Sequence, residues 1–360
     1  MIYRFRFLRD FALAAALYVL VNVVVFHGGL YRHLCKADSY AGNVYARMQV
    51  LEATEEETGS RLVVLVGDST TEEGIDPALL SQQIGKPVIN LALPGAAPLD
   101  WYYFLRSVDP DRTRFEAIIL TVVPQNVRTQ SHNDGIQTLL PVAKPLLMVK
   151  YLSTMDTFWN NLGDYYAAFD RIYAFRRDLR ELLLSPNRWR DAGISKEQQL
   201  EKIRSYSGEN YDVCGVRQQQ GKIVRWGGIK DKEVQRLIRH NINRISRLNQ
   251  QPVVSGIAEP LRDIVESYRN SSTQIIIVNI PFGYGHRVPV QSKPVSQYLT
   301  QLQALNNVLR WTAFDETLFQ ECSNFFDFRH LNHKGRKLFT NWLAERWNQS
   351  ARNESLAEIR

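Results

Sequence analysis

Cysteine is scarce in this chain, and so are the short motifs that usually bind metals, nucleotides or nucleic acids. Its 360 residues include three cysteines and seven histidines, and no group of them has the spacing of a zinc site. No glycine-rich loop has the pattern that cradles phosphate, and no nucleic-acid-binding motif accompanies the net charge of +7. Internal repeats and low-complexity segments are also missing. We therefore expect no metal, no organic cofactor and no nucleic-acid partner.

The three cysteines leave an odd number for pairing. In an oxidising compartment Cys214 and Cys322 could form a disulfide, which would leave Cys35 alone near the start of the chain. A free, buried Cys322 is an equally good interpretation, and the sequence leaves both open.

The composition is that of a globular protein with a basic surface. Hydrophobic residues make up 44% of the chain, which is ample for a packed core, and the length allows one domain with an insertion or two domains. The basic balance favours polyanionic neighbours such as anionic lipid or acidic glycan.

The longest apolar run lies near the N-terminus. Residues Phe11 to Leu30 are apolar except for Asn22 and His27, and twenty residues match the thickness of a bilayer core. Three arginines precede the run: Arg4, Arg6 and Arg9. The positive-inside rule therefore places the N-terminus in the cytoplasm and the rest of the chain beyond the membrane.

A cleaved signal peptide is the alternative for this run, but no small-residue cleavage site follows Phe26. We therefore predict an uncleaved, single-pass anchor in the inner membrane, surrounded by lipid, with a periplasmic or otherwise extracytoplasmic domain. In this interpretation residues 1–35 are the cytoplasmic tip and anchor, and residues 36–60 are a helical, charged stalk.

The first buried strand of the chain ends at a serine. Residues 63–66, Val-Val-Leu-Val, suit a strand that is covered on both faces, and Gly67, Asp68 and Ser69 follow it. Ligands of open α/β sheets bind at the carboxyl ends of the strands, so the Ser69 hydroxyl is in a position for chemistry. Asp68 is expected to bind backbone amides of the turn.

Near the other end of the chain, Asp327 precedes His330 by three residues, and helical periodicity begins directly afterwards. A serine hydroxyl needs a neighbouring base to become a nucleophile, and that base needs a partner that fixes its tautomer. Asp327 and His330 can supply both functions from one loop. Asn332 is better interpreted as the N-cap of the final helix than as a catalytic group.

The pairing of Gly-Asp-Ser at residues 67–69 with Asp-x-x-His at residues 327–330 resembles the SGNH (GDSL-type) hydrolase superfamily. Two intermediate segments agree with the resemblance. One short strand leads to Gly95, which matches the oxyanion-hole glycine of the family, and another strand ends near Asn126.

The resemblance has a local departure and a gap. The family usually has Gly-x-Asn-Asp at the third segment, whereas this chain has Pro124 in place of the glycine and Val127 in place of the aspartate, so that only Asn126 matches. Residues 130–270 are not covered by the resemblance.

The resemblance implies serine-dependent acyl-ester chemistry, which is either hydrolysis or acyl transfer. Ser69 would attack the carbonyl, His330 would move the proton, and Asp327 would orient His330. The amide N–H groups of Ser69 and Gly95, together with the side chain of Asn126, would stabilise the oxyanion.

The expected biological context also comes from this resemblance. The chain resembles membrane-anchored bacterial proteins that acetylate exported polysaccharides. This resemblance implies a cell-envelope glycan as substrate and polysaccharide-assembly proteins as partners. The acyl group, the acceptor and the choice between hydrolase and transferase stay open. A catalytically inactive assembly or glycan-binding protein with the same fold is the alternative.

Apolar runs predict an α/β fold with a doubly wound, flavodoxin-like parallel sheet of about five strands and helices on both faces. The expected strands are residues 62–66, 87–91, 116–123, 274–280 and 324–327. The core would comprise residues 61–136 and 251–350, followed by a tail at 351–360. Residues 137–250 would form a helical insertion between the third and fourth strands.

The insertion is rich in aromatic residues and arginines. We interpret most of the aromatics as packing residues and most of the arginines as a solvated face. A basic, aromatic-lined groove for a glycan or a lipid head group is the alternative. A second candidate for substrate binding follows the fourth strand and comprises Phe282, Tyr284, His286 and Arg287. Of these, His286 is also a competitor of His330 for the role of base.

Overall fold

The structure is a computed structural model. It describes residues 2–28, 30–33, 35–36, 39–123, 126–127, 166–167, 169–184, 196–205, 216–219, 222–225, 253, 255–280, 293–305, 308–312, 321–326 and 330–358.

The helices within these ranges are α1 (Ile2–Val21), α2 (Tyr40–Thr58), α3 (Ser69–Gly74), α4 (Pro77–Ile84), α5 (Pro98–Val108), α6 (Arg171–Ala174), α7 (Arg176–Leu184), α8 (Lys196–Ser205), α9 (Ser255–Ser267), α10 (Lys293–Gln303) and α11 (His333–Glu358). A π-helical turn follows α1 at Asn22–His27, and 3₁₀ turns lie at Leu30–His33 and Cys322–Asn324. The strands are β1 (Leu62–Val66), β2 (Val88–Asn90), β3 (Phe115–Val122), β4 (Val216–Gln219), β5 (Lys222–Arg225), β6 (Gln274–Asn279) and β7 (Val308–Thr312).

The chain divides into two compact units. The first unit comprises residues 1–46 and 133–199, and the second comprises residues 47–132 and 200–360. Helix α2 covers most of the expected stalk. Its Val50 and Leu51 are buried.

A five-stranded parallel sheet forms the centre of the second unit, with the strand order β2-β1-β3-β6-β7. The order reverses at β1, because the chain first moves outward to β2 and then returns to place β3 on the other side. Strands β4 and β5 form a separate antiparallel pair.

Both faces of the sheet are buried. Val63 and Leu65 of β1 belong to an apolar cluster that also contains Phe339 and Trp342 of α11. Val64 points to the opposite face, since side chains alternate along a strand, and it is fully buried as well. This double burial explains why the central strands consist almost entirely of branched apolar residues.

The position of the fifth strand corrects the sequence-based prediction. We expected it at residues 324–327, but the structure has β7 at Val308–Thr312, after the crossover helix α10. Phe325 forms only an isolated bridge with Leu331. Strand β7 lies at the edge of the sheet and is partly exposed, so its Val-Leu-Arg-Trp-Thr sequence lacks the apolar run of the central strands.

The first unit contains the N-terminal apolar helix. The segment Arg6–His27 is 22 residues long with a mean hydropathy of 1.9, and none of it is buried. It is therefore long and apolar enough to cross a membrane. A small apolar cluster around Tyr31, Ala41 and Phe175 lies in the same unit.

The alternatives for the cysteines fall largely outside the described residues, which include neither Cys214 nor the side chain of Cys322. Their pairing stays a prediction. Cys35 is free, and burial raises the pKa of its thiol to about 12.

Candidate active site

The turn between β1 and α3 presents Ser69. A methyl group at Gly67 would overlap the hydroxyl groups of Thr71 and Thr121, so glycine leaves room for these two side chains to pack against the turn. Asp68 is the N-cap of α3, and its Oδ1 accepts hydrogen bonds from the Thr70 amide at 2.9 Å and from the Thr70 hydroxyl at 2.6 Å. Asp68 therefore has the structural role expected for it, and Ser69 begins the helix.

The structure brings Ser69 and His330 together across 261 positions of sequence. The distance between Ser69 Oγ and His330 Nε2 is 2.9 Å, and both side chains are half-buried. When the imidazole proton is on Nδ1, Nε2 accepts the hydrogen bond from the hydroxyl. This is the geometry in which a histidine can remove the proton of an attacking serine.

Both the backbone and the imidazole ring of His330 are held by neighbouring residues. The Phe326 amide donates to the His330 carbonyl oxygen at 3.1 Å, and the neighbouring residues Phe325 and Leu331 form the isolated bridge. The imidazole stacks on the Phe326 ring with centroids 5.6 Å apart and planes 14° apart. These contacts reduce the number of orientations that the imidazole can adopt.

Asn332 caps the last helix, as its position in the sequence predicts. Its Oδ1 accepts a hydrogen bond from the Gly335 amide at 3.0 Å, and its Nδ2 donates to the Ser323 carbonyl oxygen at 2.8 Å. The start of α11 is thereby tied to the 3₁₀ turn that precedes His330.

Asn126 lies directly beside the turn that carries the nucleophile. Its Nδ2 donates to Asp68 Oδ2 at 3.0 Å, and its Oδ1 accepts from the Val123 amide at 2.8 Å. The side chain is buried and connects the end of β3 to the end of β1. Its suggested oxyanion role stays a prediction, and the observed contact is with Asp68.

Gly95 lies in the turn after β2, the strand next to β1. Its φ of 76° is in the left-handed region, where glycine is strongly favoured. The same turn is attached to the nucleophile turn, because the Leu93 amide donates to the Gly67 carbonyl oxygen at 3.0 Å. Gly95 itself is exposed, and its oxyanion role also stays a prediction.

The remaining expected site residues lie outside the described part of the chain. They are Asp327, Phe282, Tyr284, His286 and Arg287. Among the residues that the structure describes, no three His, Cys, Asp or Glu side chains converge as a metal site would require.

A buried ion pair next to the nucleophile escaped the sequence analysis. Glu72 lies one turn after Ser69 on α3, and its Oε1 is 2.7 Å from a guanidinium nitrogen of Arg47. Arg47 is 1% exposed, and the side chain of Glu72 is 11% exposed. A charged residue within a helix normally indicates a solvated face, so no local signal reveals this pair.

No protein-family model matches the chain, and no curated protein matches it significantly. The chemical interpretation of the site therefore depends on its own residues and geometry.

Proposed function

We propose that this protein is an SGNH-type serine esterase or O-acyltransferase that acts on carboxylic esters. The contact of 2.9 Å between Ser69 Oγ and His330 Nε2 carries the proposal. The contact lies where the strand order reverses, beyond the carboxyl end of β1, which is where open α/β sheets bind ligands. The strand order also supports a doubly wound, flavodoxin-like fold.

The proposed reaction begins when His330 Nε2 takes the proton of Ser69 as Oγ attacks the ester carbonyl carbon. The tetrahedral intermediate collapses as His330 returns this proton to the leaving alkoxide, and the acyl group stays on Ser69. Water or an acceptor hydroxyl then attacks the acyl-serine as His330 takes its proton, and the acyl–Oγ bond breaks as His330 returns this proton to Ser69. Attack by water yields a free acid, and attack by an acceptor hydroxyl yields a new ester.

Four further groups have proposed roles in this reaction. The amides of Ser69 and Gly95 stabilise the oxyanion, with Asn126 as a third donor. Asp327 holds the proton of His330 on Nδ1. The hydrogen bond between the turns of Gly67 and Leu93 supports this arrangement, because it links the two backbone segments that would supply the donors.

The proposed location is the bacterial inner membrane, with α1 as a single-pass anchor, a cytoplasmic N-terminus and a periplasmic catalytic unit. A cell-envelope glycan is the proposed substrate, and polysaccharide-assembly proteins are the proposed partners. A reporter fused after residue 360 tests this orientation. A reporter enzyme that works only after export should be active at this position. Activity there of a reporter that works only in the cytoplasm would contradict the proposal.

An inactive assembly or glycan-binding protein is the second candidate. The observation that favours it is the contact of Asn126 with Asp68, together with the loss of the usual glycine and aspartate around that asparagine.

Labelling with a fluorophosphonate probe separates the two candidates. The full-length protein in detergent should be labelled once, and Ser69→Ala should abolish the labelling. Ser60→Ala, which changes an exposed serine of the same unit, should be labelled like the wild type. Equal labelling of the wild type and Ser69→Ala would contradict the enzymatic proposal.

A further inference from the structure

Residues 166–167 and 169–184 of the insertion, which we call the segment 166–184, pack against the N-terminal apolar helix within the first unit. The two polar residues that interrupt the apolar run provide the contacts. Asn22 Nδ2 donates to the Phe169 carbonyl oxygen at 3.0 Å, and Asn22 Oδ1 accepts from the Arg171 amide at 3.0 Å. His27 Nε2 lies 3.2 Å from the same Phe169 oxygen. Both interruptions of the run are therefore positions at which the insertion is bound.

An acidic side chain of the insertion is also held by the apolar helix. Asp170 is the N-cap of α6 and accepts hydrogen bonds from the Tyr173 amide at 3.1 Å and from the Tyr18 hydroxyl. Burial acts to raise the pKa of Asp170, but hydrogen bonds from Tyr166 and Tyr18 outweigh burial and lower it. The carboxylate charge is thus balanced by donors within the unit.

Aromatic packing adds to these hydrogen bonds. Phe175, which follows α6, lies 5.8 Å from Phe26 and 4.4 Å from Tyr31, measured between ring centroids. Phe26 belongs to the π-helical turn that continues α1. The insertion segment and the apolar helix therefore share a small packed core.

The segment nevertheless leaves large apolar side chains exposed. Their exposed fractions are 53% for Tyr166, 59% for Phe169, 78% for Leu183 and 70% for Leu184. Leu17 and Leu20 of α1, on the adjoining helix, are exposed to a similar extent. The segment therefore exposes apolar side chains and contacts a helix whose composition suits lipid.

Helix α7 combines this apolar surface with exposed positive charge, while its acidic residues Asp178 and Glu181 contact Tyr31 and Lys36. Arg177 and Arg180 are exposed and lie one turn apart, and Leu184 follows one turn after Arg180 on the same side. Arginine side chains extend toward phosphate while their methylene groups lie on apolar surface. Basic and apolar groups on one helix are typical of helices that lie in the plane of a membrane interface.

We propose that residues 166–184 form a membrane-interface element that binds anionic lipid. Tyr166, Phe169, Leu183 and Leu184 enter the boundary between head groups and acyl chains, and Arg177 and Arg180 bind lipid phosphates. The proposal rests on the membrane anchoring proposed for α1, and it does not depend on the acyl chemistry.

The contacts between the segment and the apolar helix lie near the end of the candidate span, as a position at the membrane interface requires. Asn22 precedes His27, the last residue of the candidate span, by five positions, and the two residues begin and end the π-helical turn. Interfacial helices bury their apolar faces by about 5–10 Å. Phe169, bound to both residues, therefore lies beside the end of the candidate span, where an interfacial element would be expected.

Fluorescence quenching in vesicles tests the proposal with the full-length chain. An environment-sensitive fluorophore is attached to Leu13→Cys, Phe169→Cys, Leu184→Cys or Lys337→Cys, in a background where the native cysteines are replaced by serine. Spin-labelled phospholipid reports contact with lipid, and iodide reports contact with water. Leu13 represents the span, and the exposed Lys337 of α11 is the aqueous control.

We expect spin-labelled lipid to quench the labels at positions 13, 169 and 184, and iodide alone to quench the label at 337. Iodide quenching at 169 and 184, with lipid quenching kept at 13, would overturn the proposal and leave the anchoring intact. Protection of 169 and 184 from both quenchers would overturn it in favour of a protein partner. Absence of lipid quenching at position 13 would refute the anchoring and the proposal together.

A second experiment measures how the quenching depends on the charge of the lipid. Vesicles that contain phosphatidylglycerol should quench the label at position 184 more strongly than vesicles of phosphatidylcholine alone. The double variant Arg177→Gln and Arg180→Gln should lose that increase. The matched variant Arg269→Gln and Lys337→Gln, which removes the same charge from exposed positions of the second unit, should keep it. Equal quenching in both vesicle types would overturn the assignment of an anionic lipid.

Discussion

Removal of Ser69 and His330, singly and together, should reveal that the two side chains act as one unit. Their atoms are 2.9 Å apart, so the nucleophile and the base share one proton. A base in this position contributes about 10²–10⁴ to the rate, and losing either member of a coupled nucleophile–base pair costs up to about 10⁶. A loss of 10⁴ corresponds to about 5.5 kcal/mol of transition-state stabilisation.

The coupling makes the double variant the most informative one. If the two residues acted independently, losses of about 10⁴ each would multiply to about 10⁸. Because proton transfer and attack are one event, we expect Ser69→Ala, His330→Ala and the double variant to be equally impaired within about tenfold.

The assay measures hydrolysis of nitrophenyl acetate by the full-length protein in detergent, with thermal unfolding as a check that each variant is folded. Ser60→Ala is the control, and its activity should equal that of the wild type. Wild-type activity in a folded Ser69→Ala variant would refute the mechanism. A double variant whose loss is the product of the single losses would refute the shared proton transfer.

Three other predictions concern the residues around the nucleophile. Asn126→Ala should lower kcat by about 10–10³, less than Ser69→Ala, because two backbone oxyanion donors remain; a loss as large as that of Ser69→Ala would contradict this order. Glu72→Gln should lower the free energy of unfolding by about 3–5 kcal/mol, since it removes the negative charge 2.7 Å from the buried guanidinium of Arg47, and an unchanged thermal midpoint would refute the structural importance of the pair. Gly67→Ala should destabilise the fold by about 1–3 kcal/mol through overlap with the neighbouring threonine hydroxyls, whereas Ser60→Ala should leave the thermal midpoint unchanged.

The central strands and the final helix could be predicted from local patterns. The apolar run of β1 predicts a strand that is buried on both faces, and burial on both faces is what the structure has. Asn332 directly before a helical period predicts an N-cap, and its side chain makes that hydrogen bond. Both predictions succeed because period and capping are properties of a few consecutive residues.

Strand β7 shows where such patterns fail. Its Arg310 and Thr312 are partly exposed at the sheet edge, so the strand has no continuous apolar run. The fifth strand was instead expected around the apolar Phe325, which is buried in a loop that forms only one bridge. Burial and strand pairing are different properties, and apolar composition reports only the first.

The sequence by itself determined the candidate chemistry, the central parallel strands and an apolar N-terminal helix, because each depends on residue type and short-range spacing. Only the tertiary structure decided that Ser69 meets His330, that Arg47 is buried against Glu72, and that Asn22 and His27 bind the insertion. These contacts join residues that are far apart in the chain. Their formation depends on how helices and strands pack in three dimensions, which no short stretch of sequence encodes.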